Sequence, residues 1–218
     1  MDSKSHNELW LIIPTGDRVQ YLNPIFQDSG ISAEKRVLVR TKEGPEINGA
    51  RNIFVKGDIN IQRWWNTGID FVKGQNGRYV AILNDDVIVK YGQLQEMLQE
   101  LKDEGVALVA SRNSNGGFWG HAFILDLNTG IRPDERFFWW FGDFDLKEQA
   151  KRKGGFLQSS IEIFHMNPNK ETHSNPILEI LANSDRKTFY KKYRLKWLAS
   201  KFPNLARSVK ALAKIMDR

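Results

Sequence analysis

Two neighbouring carboxylates, Asp85 and Asp86, lie inside an otherwise apolar segment, residues 79–89 (YVAILNDDVIV). A short run of Val, Ile and Leu is typical of a strand that is buried on both faces of a parallel sheet. Open α/β sheets bind ligands at the carboxyl ends of such strands, which favours a ligand site here. Asp and Asn also favour turns and helix caps, so the pair alone is equally consistent with a turn into the next helix.

Further residues that could take part in a reaction follow later apolar segments. Asp143 follows five consecutive aromatic residues, FFWWF, after one glycine, and His165 stands near the end of the last predicted strand. Trp139 and Trp140 have two interpretations, because aromatic faces suit both core packing and stacking on a sugar. A single histidine such as His165 is more often structural than metal-binding, so its role depends on its neighbours.

Composition limits the class of protein. The 218 residues, 41% hydrophobic and 27% charged, suffice for one large α/β domain or for a domain with a helical addition. The absence of cysteine excludes disulfides and thiolate metal sites and fits a reducing cytoplasm. The N-terminal residues lack the pattern of a signal peptide, and no apolar run reaches the roughly 20 residues of a membrane-spanning helix. We therefore expect a cytoplasmic protein.

The apolar pattern predicts elements that would bring these side chains together. Continuous or alternating apolar residues indicate strands at 9–15, 35–41, 52–56, 79–89, 106–111, 121–127 and 156–165. Helical spacing indicates helices at 18–27, 61–72, 91–104 and 145–153. Asn60 and Asp145 are the expected N-caps of two of them, and Phe118 and Trp119 are expected to be exposed on a loop. The alternation predicts a doubly wound, mostly parallel sheet flanked by helices.

The basic charge is concentrated in the C-terminal segment. Residues 186–218 contain eleven Lys and Arg and one acid, Asp217, a net charge of +10, so residues 1–185 carry −4 of the total +6. Amphipathic helices are predicted from residue 176 onward, which divides the chain into an α/β domain, 1–175, and a basic helical region, 176–218. The basic face either covers a sheet edge or docks on an anionic surface, which would place the protein at a membrane or a polyanionic assembly.

Five short motifs occur in a fixed order: LWLIIPT at 9–15, WNTGI at 65–69, LNDDV at 83–87, GDFDL at 142–146, and His165. Together they resemble the inverting family 2 glycosyltransferases with a GT-A-type fold, whose corresponding motifs include RNxGI, DxD and EDxDL. The resemblance covers about residues 9–173. It implies a Rossmann-like α/β domain, Mn²⁺ or Mg²⁺ as cofactor, and transfer of a sugar from a nucleotide-sugar donor, with a UDP-sugar as the expected donor.

The resemblance also implies roles for individual residues. Asp86 matches the last acid of DxD and is the expected metal ligand, with Asp85 sharing the ion and His165 completing its shell. Asp143 matches the acid that takes the proton of the acceptor. The expected donor contacts are Pro14, Thr15, Arg18, Arg40, Asn66, Asn84 and Asp85, and the expected acceptor contacts are Trp119, Trp139 and Trp140. Gly142 and Trp65 depart from the pattern, which has an acid and an arginine at these positions.

Two other functions are consistent with parts of the sequence. A nucleotidyltransferase that makes nucleotide sugars would share the sheet and the acids, but it needs a Gly-rich phosphate loop, and PTGDR after the first strand has one glycine. A non-catalytic nucleic-acid-binding module would account for the basic segment, but paired acids repel phosphates unless a cation intervenes. The acceptor stays open among a glycan, a lipid-linked sugar, a protein and a modified nucleic acid.

Overall fold

A computed structural model of the chain describes residues 8–16, 18–112, 118–166 and 175–201, with side chains through Arg194. The strands of these residues are β1 (Leu9–Thr15), β2 (Arg36–Arg40), β3 (Arg51–Phe54), β4 (Tyr79–Leu83), β5 (Val87–Ile88), β6 (Leu108–Arg112), β7 (Ala122–Asp126), β8 (Phe156–Glu162) and β9 (Phe164–His165). The helices are α1 (Leu22–Asp28), α2 (Ile61–Gly74), α3 (Gln93–Asp103), α4 (Gly142–Lys153) and α5 (Pro176–Lys201).

Seven of these strands form one sheet in the order β3-β2-β1-β4-β7-β6-β8. Only β7 runs antiparallel to its neighbours within this sheet, and the other described pairings are parallel. The predicted fold, a mostly parallel sheet flanked by helices, is therefore confirmed. Because β1 and β4 are adjacent and parallel, the residues that follow them meet at one edge of the sheet.

The core lies on both faces of the sheet. Leu11 and Ile13 pack on the face that carries α1 and α3, whereas Trp10 and Ile12 pack on the face that carries α2. Gly68 explains how closely α2 approaches β1, since a Cβ atom at this position would lie 2.6 Å from the Ile12 Cγ2 atom. The glycine that weakens the helix is thus required by the packing against the sheet.

Four local predictions were wrong. The strand predicted at 156–165 is two strands, β8 and β9, which belong to different sheets. The segment 79–89 is not one strand, because β4 ends at Leu83 and a second, two-stranded antiparallel sheet joins β5 to β9. Asp145 is not an N-cap, since α4 begins at Gly142 and Phe141 precedes it with a left-handed φ of 63°. Phe118 is fully buried between Phe123 and Phe156 rather than exposed. The N-cap role of Asn60 is confirmed, since its side chain accepts the Arg63 N–H.

The C-terminal helix α5 packs against the rest of the molecule. Phe189 contacts the rings of Phe137 and Phe141, and the buried Tyr193 hydroxyl donates to Asp145 Oδ1 at 2.6 Å. Among the described helices, none has the length and apolar composition needed to cross a membrane. Residues 202–218, which carry part of the predicted basic region, lie outside the described residues.

Candidate active site

Asp85 and Asp86 lie side by side immediately after β4 and are almost completely buried, with 3% and 2% of their surfaces exposed. Thr15, at the end of β1, donates its hydroxyl to Asp85 Oδ2 at 2.8 Å. The guanidinium of Arg18 bridges both acids, at 2.6 Å from Asp85 Oδ1 and 2.7 Å from Asp86 Oδ2. Thr15, Asp85 and Asp86 therefore meet at the carboxyl ends of β1 and β4, with Arg18 between the two acids.

His165 completes this cluster through the small sheet. The pairing of β5 with β9 places it opposite Val87, and its Nε2 atom lies 3.0 Å from Asp86 Oδ1. Burial alone would raise the pKa of Asp86, but the hydrogen bond and charge of His165, together with Arg18, hold that pKa below its ordinary value. Asp86 is consequently ionised at neutral pH.

A second histidine supports the ring of His165. The rings of His121 and His165 stack with centroids 5.1 Å apart, and His121 Nε2 lies 3.1 Å from the Ile163 carbonyl oxygen. Burial and the neighbouring His165 lower the pKa of His121 to about 4. His121 is therefore a neutral packing partner at physiological pH, and its signal in the sequence was too weak to separate it from other histidines.

Asp143 stands at the start of α4 and faces the same space. Its carboxylate accepts the backbone N–H of Gly120 at 3.1 Å and that of Phe144 at 2.8 Å. Burial raises the pKa of Asp143 to about 6, although these two N–H groups lower it in part. A carboxylate with a pKa near 6 is suited to accept a proton near neutral pH.

The Asp85–Asp86 pair and Asp143 line one cavity of about 780 Å³. Of the predicted site residues, those that line it are Pro14, Thr15, Arg18, Asn84, Asp85, Asp86, Trp119, Trp139, Trp140, Asp143 and His165. Such a volume suits a ligand of the size of a nucleotide sugar, and aromatic walls with few polar groups are common in ligand sites.

The structure does not bring Arg40 and Asn66 to this cavity. Arg40 is buried beneath the loop after β2, where it donates to the Pro45 carbonyl at 2.6 Å. Asn66 donates to the Pro133 carbonyl and to Glu135 Oε1, at 3.0 and 2.9 Å. Of the segment after β2, it is Thr41 and Lys42 that line the cavity.

Gln62 is a site residue that the motifs did not indicate. It lies in the first turn of α2, lines the cavity and is 1% exposed, and its Oε1 atom has no hydrogen-bond partner among the described residues. Its carboxamide fills the space beside Gly142 that any Cβ atom there would occupy. Gly142, the departure from the EDxDL motif, is thus explained by the side chain that packs against it.

Asp185 of α5 holds the aromatic residues 137–141, which form one wall of the cavity, hereafter the aromatic wall. Its carboxylate, which is 0% exposed, accepts the backbone N–H groups of Phe138, Trp139 and Trp140 at 2.9, 2.7 and 2.8 Å. On the other side of the wall, the Phe138 carbonyl accepts the Ile61 N–H at 2.7 Å. The wall that carries Trp139 and Trp140 is therefore fixed between α5 and the start of α2, a dependence that no local sequence pattern reveals.

Comparison with known proteins decides the family. The family model described as "Glycosyl transferase family 2" matches residues 53–197, about two thirds of the chain. The chain belongs to glycosyl transferase family 2. The family and the fold that the motifs of this family 2 protein predicted are therefore confirmed. A search of curated proteins finds no sequence match.

Solved structures share the fold of the family 2 protein at low sequence identity. TarS residues 1–349 of S. aureus in complex with UDP gives a TM-score of 0.53 at 10% identity, covering 80% of this chain and 65% of that one. Another S. aureus TarS structure gives 0.52 at 10% identity, covering 79% of this chain and 39% of that one. A cytidylyltransferase from Leptospira borgpetersenii gives 0.50 at 13% identity, covering 77% and 85%. These similarities show the GT-A-type fold alone.

Proposed function

We propose that the protein is a metal-dependent, inverting glycosyltransferase that moves a sugar from a nucleotide sugar, a UDP-sugar, to a hydroxyl acceptor. The observation that carries the proposal is the pairing of two acidic positions in one cavity. Asp85 and Asp86 lie at the sheet edge, and Asp143 lines the same cavity from the start of α4. A family 2 transferase requires these two roles, one for the diphosphate side and one for the acceptor side.

The residues at the sheet edge fit a divalent cation that is shared with the donor. Mg²⁺ and Mn²⁺ prefer oxygen ligands and use one or two carboxylates beside substrate phosphates. In the described part of the chain, no group of three or more acidic or histidine side chains is arranged to hold a metal ion. Asp86 would therefore be the main protein ligand, with Asp85 and His165 as neighbours that could share the ion, and phosphate oxygens of the donor would complete its shell. Such an ion would neutralise the charge of the diphosphate leaving group.

The remaining steps use residues of this chain. Inversion requires a base on the side of the sugar opposite the leaving group, and we assign this role to Asp143. Its carboxylate is held by the N–H groups of Gly120 and Phe144, which fixes its direction before the acceptor binds. We assign Trp119 and the aromatic wall, with its Trp139 and Trp140, to the acceptor, since flat sugar faces stack on indole rings.

The proposal is tested by hydrolysis and transfer with a panel of nucleotide sugars, with and without Mn²⁺. We expect Asp86→Ala to lose metal-dependent donor binding. Asp143→Asn should keep donor binding and lose transfer, because it retains the shape of the side chain without its basicity. Asp70→Asn, at a surface carboxylate paired with Arg132, controls for the loss of one charge. If wild type binds no nucleotide sugar, or if Mn²⁺ has no effect on that binding, the proposal is wrong.

A nucleotidyltransferase is the second candidate, since the L. borgpetersenii cytidylyltransferase shares the fold. It is tested in the same experiment by supplying a nucleoside triphosphate with a sugar phosphate. Release of pyrophosphate would favour this function, whereas release of the nucleoside diphosphate from a nucleotide sugar favours glycosyl transfer. Mass spectrometry of macromolecules from cells that express the protein would then identify the acceptor as a glycan, lipid-linked sugar, protein or nucleic acid.

A further inference from the structure

The Arg18 guanidinium occupies the position between the two acids where a cation would be held. It contacts one oxygen of each carboxylate, Asp85 Oδ1 and Asp86 Oδ2. The other two oxygens also have partners, since Asp85 Oδ2 accepts the Thr15 hydroxyl and Asp86 Oδ1 contacts His165. All four carboxylate oxygens are thus engaged within the protein, and a cation that binds them must displace a partner.

Arg18 is the partner that can leave most readily. Its side chain is 29% exposed and lines the cavity, whereas the side chains of Asp85 and Asp86 are only 4% and 3% exposed. It lies between β1 and the short 3₁₀ helix Val19–Tyr21, so its long side chain can change direction without moving the sheet. Thr15 belongs to β1 itself and His165 to β9, which fixes both of them more strongly.

Charge balance determines when a cation can replace the Arg18 guanidinium between the two acids. Two adjacent buried carboxylates repel each other, and one guanidinium offsets part of their charge. A divalent cation that entered alone would leave the guanidinium unpaired beside it, with like charges a few ångströms apart. A nucleoside diphosphate that entered with the ion would supply anionic oxygens for the guanidinium, which binds phosphate in a bidentate manner.

We propose that Arg18 is an exchangeable counter-ion that keeps divalent cations from the two acids until a nucleotide diphosphate binds. In this proposal, which rests on the proposed function, Arg18 moves from the carboxylates to the phosphate oxygens of the donor as the cation takes its place. Metal ion and nucleotide therefore bind cooperatively, and each raises the affinity for the other by the same factor. Because Arg18 must be displaced, the affinity for a divalent cation is low as long as no nucleotide diphosphate is bound.

The test measures binding of Mn²⁺ alone, of UDP alone and of both, by calorimetry and by the electron paramagnetic resonance of free Mn²⁺. In wild type, we expect UDP to tighten Mn²⁺ binding at least about tenfold. In Arg18→Gln, Mn²⁺ alone should bind about tenfold more tightly than to wild type, while UDP binding in the presence of Mn²⁺ weakens about tenfold. Arg18→Lys keeps the charge but lacks the planar guanidinium fork that gives each acid its own nitrogen, so it should fall between the two.

Arg78→Gln is the matched control, because Arg78 pairs with Asp126 at the opposite end of β4 and also loses one positive charge. We expect it to bind Mn²⁺ and UDP as wild type does. The proposal is overturned if Arg18→Gln, with an unchanged circular dichroism spectrum, binds Mn²⁺ alone no more tightly than wild type while UDP still binds. A wild type that binds no UDP with or without Mn²⁺ would instead refute the proposed function, and this inference with it.

Discussion

Wild type should lose stability between acid and neutral pH, and replacement of Asp143 by Asn should remove this loss. The same replacement should abolish transfer activity. Burial raises the pKa of Asp143 from 3.8 to about 6, so the folded protein holds a proton that the unfolded chain releases. The protonated side chain is therefore favoured by folding below pH 4, and this advantage is lost as the pH rises through about 6. A difference of this size between the folded and unfolded pKa corresponds to about 3 kcal/mol.

The assay is urea denaturation of wild type and of Asp143→Asn between pH 4 and pH 7.5. The Asn side chain offers one acceptor oxygen to two backbone N–H groups, those of Gly120 and Phe144. This lowers the stability of the variant by roughly 1–3 kcal/mol, by the same amount at every pH. The prediction therefore concerns the difference in pH dependence. From pH 4 to pH 7, wild type should lose up to about 3 kcal/mol relative to the variant, or about 6–12 °C in Tm for a protein of this size.

The transfer rate of wild type should fall with pH below about 6, because only the ionised carboxylate accepts a proton. Asp70→Asn, at an exposed ion pair, should retain both the wild-type pH dependence of stability and the wild-type rate profile. The reasoning fails if wild type and Asp143→Asn show parallel stability curves over this pH range. A rate profile that stays flat to pH 4.5 would remove Asp143 as the base.

Three further predictions concern packing around the site. Gly142→Ala should lose about 1 kcal/mol of stability in thermal melts, because its Cβ atom overlaps only the flexible end of the Gln62 side chain, and adding Gln62→Ala should restore most of it. Gly68→Ala should lose more, about 1–3 kcal/mol, because its Cβ atom overlaps the buried Ile12 side chain, and the double variant with Ile12→Ala should lose less than the sum of the single losses. Asp185→Asn should lose roughly 3 kcal/mol in urea and shift the tryptophan emission, since it weakens three N–H contacts of the aromatic wall; an unchanged emission spectrum would contradict this.

The positions of the acids were predictable because they depend on strand order alone. Asp85 and Asp86 follow a continuous apolar run, and Thr15 ends the first strand, so a parallel sheet brings them to one edge. The contact of His165 with Asp86 followed from the resemblance and not from any pattern. Its physical cause is the short β5–β9 pairing, two residues on each side, which is too brief to leave a signal in the sequence.

The remaining site residues depend on contacts between segments that are distant in the chain. Gln62 and Gly142 are 80 residues apart in sequence, and only the approach of α2 to α4 shows why one needs the other. Motif position predicted Arg40 and Asn66 at the donor, yet both side chains donate to backbone carbonyls of nearby loops instead. Motif position thus indicated the correct segments in these cases but not which side chain of each segment reaches the cavity.

The contact of α5 with the aromatic wall determines how the basic C-terminal segment has to be studied. A truncation before Arg186 would remove Phe189 and Tyr193, which pack α5 onto the domain, and would leave Asp185 at a chain end. Its effect on acceptor binding could not be attributed to lost positive charge. A deletion that begins after Arg194 keeps these contacts and still removes six of the eleven basic residues of this segment. By the same reasoning, a chimera with another family 2 protein should exchange α5 and residues 137–145 as one unit.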